Sequence, residues 1–330
     1  MYDFSNVVIT SSPHIKSSED TRSIMLDVVI ALIPSLCVST YVFGPRAILM
    51  TLISIIGCVV FEAAYDKVLK KPSTIGDLSA VVTGVLLAFV VPVTLPYWIL
   101  IVGDGIAMIF AKCLFGGLGK NFINPALAGR AFLMASWPVA MTTWVAAHGS
   151  VSLGSTADTV SIATPMAILK GTSDDTLPSL LNVFLGQIGG SMGEVSALAL
   201  LVGGCYLLYR KVITIQIPAA YILTVAVLTL LVPSGGLGHV QSMLYNVFGG
   251  GLLLGAIFMA TDYVTSPVSK KGQVVFGIGC GLLTFMIRKW GGYPEGVCYS
   301  IMIMNCTVWL IDKYTRPTKF GAPAKQKKEG

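Results

Sequence analysis

Strongly apolar runs of about twenty residues recur along this chain, and they leave few folds open to it. Ten such stretches stand at about residues 24–43, 47–66, 78–95, 97–115, 126–146, 194–209, 216–232, 243–261, 273–288 and 295–312. A helix crossing the hydrocarbon core of a bilayer needs roughly 20 mostly apolar residues. Charged residues make up 12% of the 330-residue chain and the mean hydropathy is +0.78. Soluble domains carry about a quarter charged residues. The expected fold is an all-α polytopic membrane protein with about ten transmembrane helices. Residues 1–22 are polar and do not read as a signal peptide, so the first span is expected to act as an uncleaved insertion signal.

Lysine and arginine placement sets the expected orientation, because cytoplasmic loops collect basic residues. With the amino terminus inside, 18 basic residues fall on the inner side and only four (Arg46, Lys170, Arg288 and Lys289) on the outer side. Both termini are therefore expected in the cytoplasm, with 1–22 as an amino-terminal segment, 23–312 as the membrane domain and 313–330 as a basic tail. The loop at 147–178 is expected to face outward. This bias accounts for the net charge of +6, so no nucleic-acid partner is needed.

The 147–178 loop divides the spans five and five. An odd number of spans per half would give two inverted five-helix halves, an arrangement of many transport folds. A faint echo supports this: Asp77-Leu78-Ser79-Ala80 near one span start and Glu194-Val195-Ser196-Ala197 near another. Three polar segments interrupt the apolar runs, the glycine-bearing Gly116–Ala126 and Gly189–Glu194, and Asp262–Pro267 after a Gly-rich helix. Irregular backbone at membrane depth is tolerated only where protein covers it or it lines a cavity; each segment also fits an ordinary interfacial turn. Intramembrane carboxylates are costly and so are functional candidates. Asp104, midway along its span, is the candidate for an ion pathway. Glu62 and Asp66 lie near an inner end and can reach the interface, while Asp77, Glu194 and Asp262 sit where carboxylates cap helices.

The seven cysteines and three histidines are scattered, and no C-x-x-C pair occurs. Neither a zinc site nor a self-contained iron–sulfur cluster is supported, and no metal site is expected.

One short polar stretch stands out, residues 156–165, TADTVSIATP. Thr164 precedes Pro165, which pushes its backbone toward extended geometry, on what is expected to be an exposed outer loop. Serine and threonine in such loops commonly satisfy nearby backbone groups and nothing more. The frame Asp158-x-x-Ser161-x-Ala163-Thr164 nevertheless resembles the acceptor motif at which a flavin transferase esterifies FMN, through its phosphate, to threonine.

Further motifs extend the likeness across the chain. They run from Ser11-Ser12-Pro13-His14 and the Arg22–Pro34 start, through Ser79–Ala88, Gly116–Ala126, Gly193–Ala197, Phe258–Asp262 and Gly291–Gly296, to Asp312–Pro317. In these the sequence resembles the RnfD/NqrB membrane subunits of ion-translocating electron-transport complexes, and its length is that of RnfD. The family pattern has glycine where Ile162 stands. The resemblance implies a bacterial cytoplasmic-membrane subunit of the Rnf complex, which moves electrons between ferredoxin and NAD and couples them to Na⁺ or H⁺ transport. It implies FMN covalently held at Thr164, with Asp158, Ser161 and Ala163 completing the attachment motif, and a second, non-covalent flavin (riboflavin) within the spans. Implied partners are RnfA, RnfB, RnfC, RnfE and RnfG, a flavin transferase for maturation, and membrane lipid. The rival class is a solute channel or transporter without redox activity, which fits the broken spans but not the acceptor frame.

Overall fold

The computed structural model describes residues 20–71, 74–148, 162–173 and 175–316. Among these the chain is all-helical, without a β-strand. Its helices are α1 (Thr21–Phe43), α2 (Arg46–Val68), α3 (Ser79–Phe89), α4 (Tyr97–Gly105, continued in π-helical form over Ile106–Cys113), α5 (Pro125–Ser136) and the single-turn α6 (Pro138–Met141). After these come α7 (Pro165–Leu169), α8 (Leu180–Leu185), α9 (Ala197–Tyr209), α10 (Gln216–Leu231) and α11 (His239–Phe248). The last are α12 (Leu252–Leu254, continued in π-helical form over Gly255–Met259), α13 (Lys270–Trp290) and α14 (Val297–Thr315).

α2 shows which solvent this fold expects. Its interior face carries Ser54, Cys58, Glu62 and Asp66, whereas its outward face carries Leu49, Leu52, Ile56 and Val60. Glu62 is 1% exposed and Ile56 61% exposed. Water would select the opposite arrangement; lipid selects this one, because tails cost apolar groups nothing and polar groups a great deal. α1 repeats the pattern, burying Asp27, Ser35 and Ser39 and presenting Leu26, Ile30 and Ile33 outward.

Ten apolar stretches do not become ten full-length spans. Among the described residues, α1 and α2 are long and apolar enough to cross a membrane alone. α11 with the α12 segment would make a third, bent by 57° at its break. α3, α9 and α10 are apolar but short, and α13 and α14 are long but less apolar.

The shortening has a visible cause. α3 stops at Phe89 ahead of Pro92 and Pro96, which disfavour helix in the residues before them. Its free carbonyls are then met by protein. Gly193 N–H donates to Phe89 O at 2.8 Å and Met192 N–H to Val91 O at 3.3 Å. Arg46 Nε donates to Val93 O at 2.8 Å and its Nη2 to Leu95 O at 3.3 Å. The 189–196 segment is held in turn by α1, where Ser35 Oγ donates to Gly193 O at 2.8 Å and Ser39 Oγ to Met192 O. Each broken end is therefore satisfied by a neighbouring element, as low dielectric demands. α1 and α9, from opposite halves of the chain, pack closely because Gly203 lets α9 approach the Ala31 carbonyl. The two members of the sequence echo occupy matching places: Ser79 opens α3 and Ser196 caps α9, each at the start of a short apolar helix.

Candidate functional site

Thr164 takes the extended backbone its proline imposes, φ −71° and ψ 154°, and caps α7 by accepting from Ala167 N–H at 3.3 Å. The segment around it is pinned from several sides. Ile162 N–H donates to Trp144 O at 2.9 Å, and Ala163 N–H to Asp175 Oδ2 at 3.3 Å. Ile162 also packs on Gly189, where a Cβ would stand 2.7 Å from its side chain. Lys170 closes α7 by donating to the carbonyls of Ile287, Gly291 and Tyr293. Met166, beneath, rests against Gly249 and Gly250 at the break between α11 and α12. The residue is not exposed as its loop position suggests: Thr164 is only 4% accessible. Asp158 and Ser161 lie outside the described residues.

Beside this segment is a recess of about 40 Å³ bordered by Trp144, Tyr293, Tyr299, Arg130 and Glu295. Tyr293 and Tyr299 stack with ring centroids 4.9 Å apart. Arg130 pairs with Glu295, both nearly buried. Arg288 holds the α11–α12 break together, donating to the carbonyls of Asn246 at 2.6 Å, Gly250 at 3.0 Å and Gly249 at 3.3 Å, and to Glu295 O at 2.9 Å.

Asp104 is fully buried at the end of α4. Its Oδ1 accepts from Ser54 Oγ at 2.5 Å and from Cys58 at 3.5 Å, while Oδ2 has no partner among the described residues. Gly57 faces that oxygen; a Cβ there would stand 2.6 Å from it. Asp104 and Thr164 share no contact. Asp77 accepts from Ser79 N–H at 2.8 Å at the start of α3, whereas Asp262 caps no helix and instead closes a turn by accepting from Val264 N–H at 3.3 Å.

Glu62 and Asp66 are turned into the protein. Both are buried, and Glu62 forms an ion pair of 2.7 Å with Lys112, itself 2% exposed. Lys112, one of the 18 bases counted to the inner side, has its partner 50 positions away in the sequence. A cavity of about 90 Å³ lies next to this pair, lined among others by Ser79, Lys112, Asn121, Asn124, Thr261 and Asp262.

An all-helical bundle with apolar outward faces, broken helices and buried ionisable groups is that of an integral membrane protein. Comparison with known proteins makes this specific: the sequence matches the NQR2, RnfD, RnfE family over residues 8–321, and the chain belongs to that family. It is 50% identical over 326 residues, 98% of each chain, to the D subunit of the Na⁺-translocating ferredoxin:NAD⁺ oxidoreductase complex of Acetobacterium woodii. It is 45% identical to the D subunit of the proton-translocating ferredoxin:NAD⁺ oxidoreductase complex of Clostridium ljungdahlii, over 95% of this chain and 96% of that one. It is 40% identical to the D subunit of the ion-translocating oxidoreductase complex of Stutzerimonas stutzeri, over 95% of both.

Proposed function

We propose that the chain is the D-type membrane subunit of an Rnf-type ion-translocating ferredoxin:NAD⁺ oxidoreductase complex, passing electrons through FMN esterified to Thr164 and contributing to Na⁺ or H⁺ translocation. Near-complete coverage by subunits of that name supports the complex. The observation that carries the flavin is Thr164 itself, an extended pre-proline threonine whose Oγ1 already serves as an acceptor. An ester oxygen can still accept, so attachment at phosphate leaves the α7 cap in place. The flavin would supply one- and two-electron transfer, with its ring system untouched by the linkage. The protein's part is position. Ile162, Ala163 and Lys170 fix the backbone on both sides of the tether, and Trp144, Tyr293 and Tyr299 offer aromatic walls beside it. Burial of Thr164 requires that a transferase act before this segment packs, or when it opens. The second, non-covalent flavin belongs to the same reading.

The electron donor and acceptor sites lie on other subunits, RnfA, RnfB, RnfC, RnfE and RnfG being the partners. In this reading the complex sits in the bacterial cytoplasmic membrane, with both termini of this chain inside and the Thr164 segment outside. A non-redox transporter draws on the bent α11–α12 pair but leaves the acceptor frame without a purpose.

Thr164→Ala should abolish in-gel flavin fluorescence of the denatured chain and stop ferredoxin-dependent NAD⁺ reduction by membranes, while the chain still inserts. Thr164→Ser should keep part of both. Full covalent fluorescence in the alanine variant would refute the assignment.

A further inference from the structure

The segment that carries Thr164 ends on a charge for which the tether has no use. Lys170 closes α7, and its ammonium donates to Ile287 O at 3.4 Å, to Tyr293 O at 2.9 Å and to Gly291 O. An ammonium has three donors, so all of them are spent on neutral acceptors. Holding backbone in this way needs donors, not a charge. Among the described residues no carboxylate stands in ion-pair contact with Lys170. Burial therefore lowers its pKa with no neighbouring charge to offset it.

The carboxylates at this end do not supply the missing anion. Glu194 and Glu295 lie within electrostatic reach of both Arg130 and Arg288, two carboxylates against two guanidiniums. Lys289, the other amine there, is held by Pro233 O at 3.0 Å. Asp175 is exposed and already accepts from Ala163 N–H at 3.3 Å and Ser173 Oγ at 3.0 Å; water and salt shorten the reach of an exposed charge. Lys170 is thus the uncompensated cation of the Thr164 segment. It also stands against the aromatic recess. Tyr293, whose carbonyl takes Lys170, is one wall, and Trp144, whose carbonyl takes Ile162 N–H at 2.9 Å, is another. The two ends of the segment are tied to two walls of the same space.

We infer that Lys170 is the countercharge of the tethered flavin, favouring the negative charge that the ring gains with an electron and so raising its reduction potential. In that step one electron passes from a donor on another subunit to the ring. The donor is oxidised, the ring is reduced, and no bond forms or breaks. A fixed cation stabilises the product of the step more than its reactant. Three carbonyls hold the ammonium in place beforehand, so little reorganisation accompanies the arriving charge. As a donor Lys170 positions the segment; as a cation it tunes what the segment carries. Substitution separates the two.

This role rests on the flavin reading at Thr164. The test is an anaerobic redox titration of the purified full-length chain with its covalent flavin, using dithionite and mediator dyes and following flavin absorbance. At the potential where the wild-type flavin is half reduced, Lys170→Met and Lys170→Gln should each lower the reduced-to-oxidised ratio about tenfold, the scale of one unit charge in a partly buried site. Lys170→Arg should keep the wild-type ratio. The glutamine variant retains an amide donor for the carbonyls, so its loss reports charge rather than hydrogen bonding. In-gel flavin fluorescence should be equal in all four chains. An unchanged ratio in both neutral variants would overturn the countercharge and leave the tether standing. A ratio lowered in Lys170→Met alone, or flavin lost from both neutral variants, would reduce Lys170 to a pin for the backbone and overturn it too. A wild-type chain without covalent flavin would overturn the tether itself, and the countercharge with it.

Discussion

Basic side chains work differently at the two ends of this bundle. The four assigned to the outer side by their place in the sequence all donate to main-chain carbonyls: Arg46 to Val93 and Leu95, Lys170 to Ile287, Gly291 and Tyr293, Arg288 to the α11–α12 break, and Lys289 to Pro233. At the opposite end Lys112 and Arg210 meet carboxylates instead, Glu62 at 2.7 Å and Asp27 at 3.1 Å. A carbonyl takes up no proton near neutral pH, whereas a carboxylate can exchange its partner for one. The four outer-assigned cations therefore fix irregular backbone, whereas Lys112 and Arg210, like Arg130 with Glu295, are held in pairs with carboxylates. The four exceptions to the charge bias are thus each bound to main-chain carbonyls.

The largest effect expected from breaking this contrast is at Arg288. Arg288→Met leaves the carbonyls of Asn246, Gly249, Gly250 and Glu295 short of a donor and should cost about 3–5 kcal/mol, several unmet buried groups at about 1–3 kcal/mol each. Thermal unfolding of the purified chain in detergent would show it, with Arg288→Lys recovering only part. A Tm within error of wild type would mean that the break supports itself.

At the other end, Lys112→Met should cost a similar amount, about 3–5 kcal/mol, because it strands Glu62. Here the pair is separable: adding Glu62→Gln should recover most of the loss, giving a coupling energy outside the additive range. Additive losses would show that Lys112 matters through packing alone. Smaller in energy but sharper for the comparison is compartment. A cysteine replacing Thr172 should react with a membrane-impermeant thiol reagent added outside intact cells, and one replacing Lys271 should not; both positions are exposed on the chain. The reverse pattern would exchange the two ends.

Much of this architecture is legible in the sequence because it is local. The apolar runs at 24–43 and 47–66 appear as α1 and α2, and the irregular segments at Gly116–Ala126 and Gly189–Glu194 do interrupt helices. Thr164 is extended because of the residue that follows it. What stayed hidden depends on distant partners. The run at 78–95 reads as a single span, yet helix ends at Phe89, and its carbonyls are met from Arg46 and the 192–193 backbone. Lys112 counts only as an inner-side base in the sequence because its partner Glu62 lies on another helix. Thr164 reads as exposed because Trp144 and Gly189, which hold the neighbouring Ile162, come from far along the chain. Apolar composition alone cannot separate a lipid-facing helix from a half-length one buried in protein.

The central claim, an electron carrier tethered at the end where the backbone is held most firmly, is tested most directly by peptide mass mapping of the wild-type chain isolated from its native membrane. The peptide containing Thr164 should carry the mass of one FMN less water, with fragment ions placing it on the Thr164 side chain. An unmodified Thr164 peptide, or flavin carried on Thr156, Thr159 or Ser161, would contradict it.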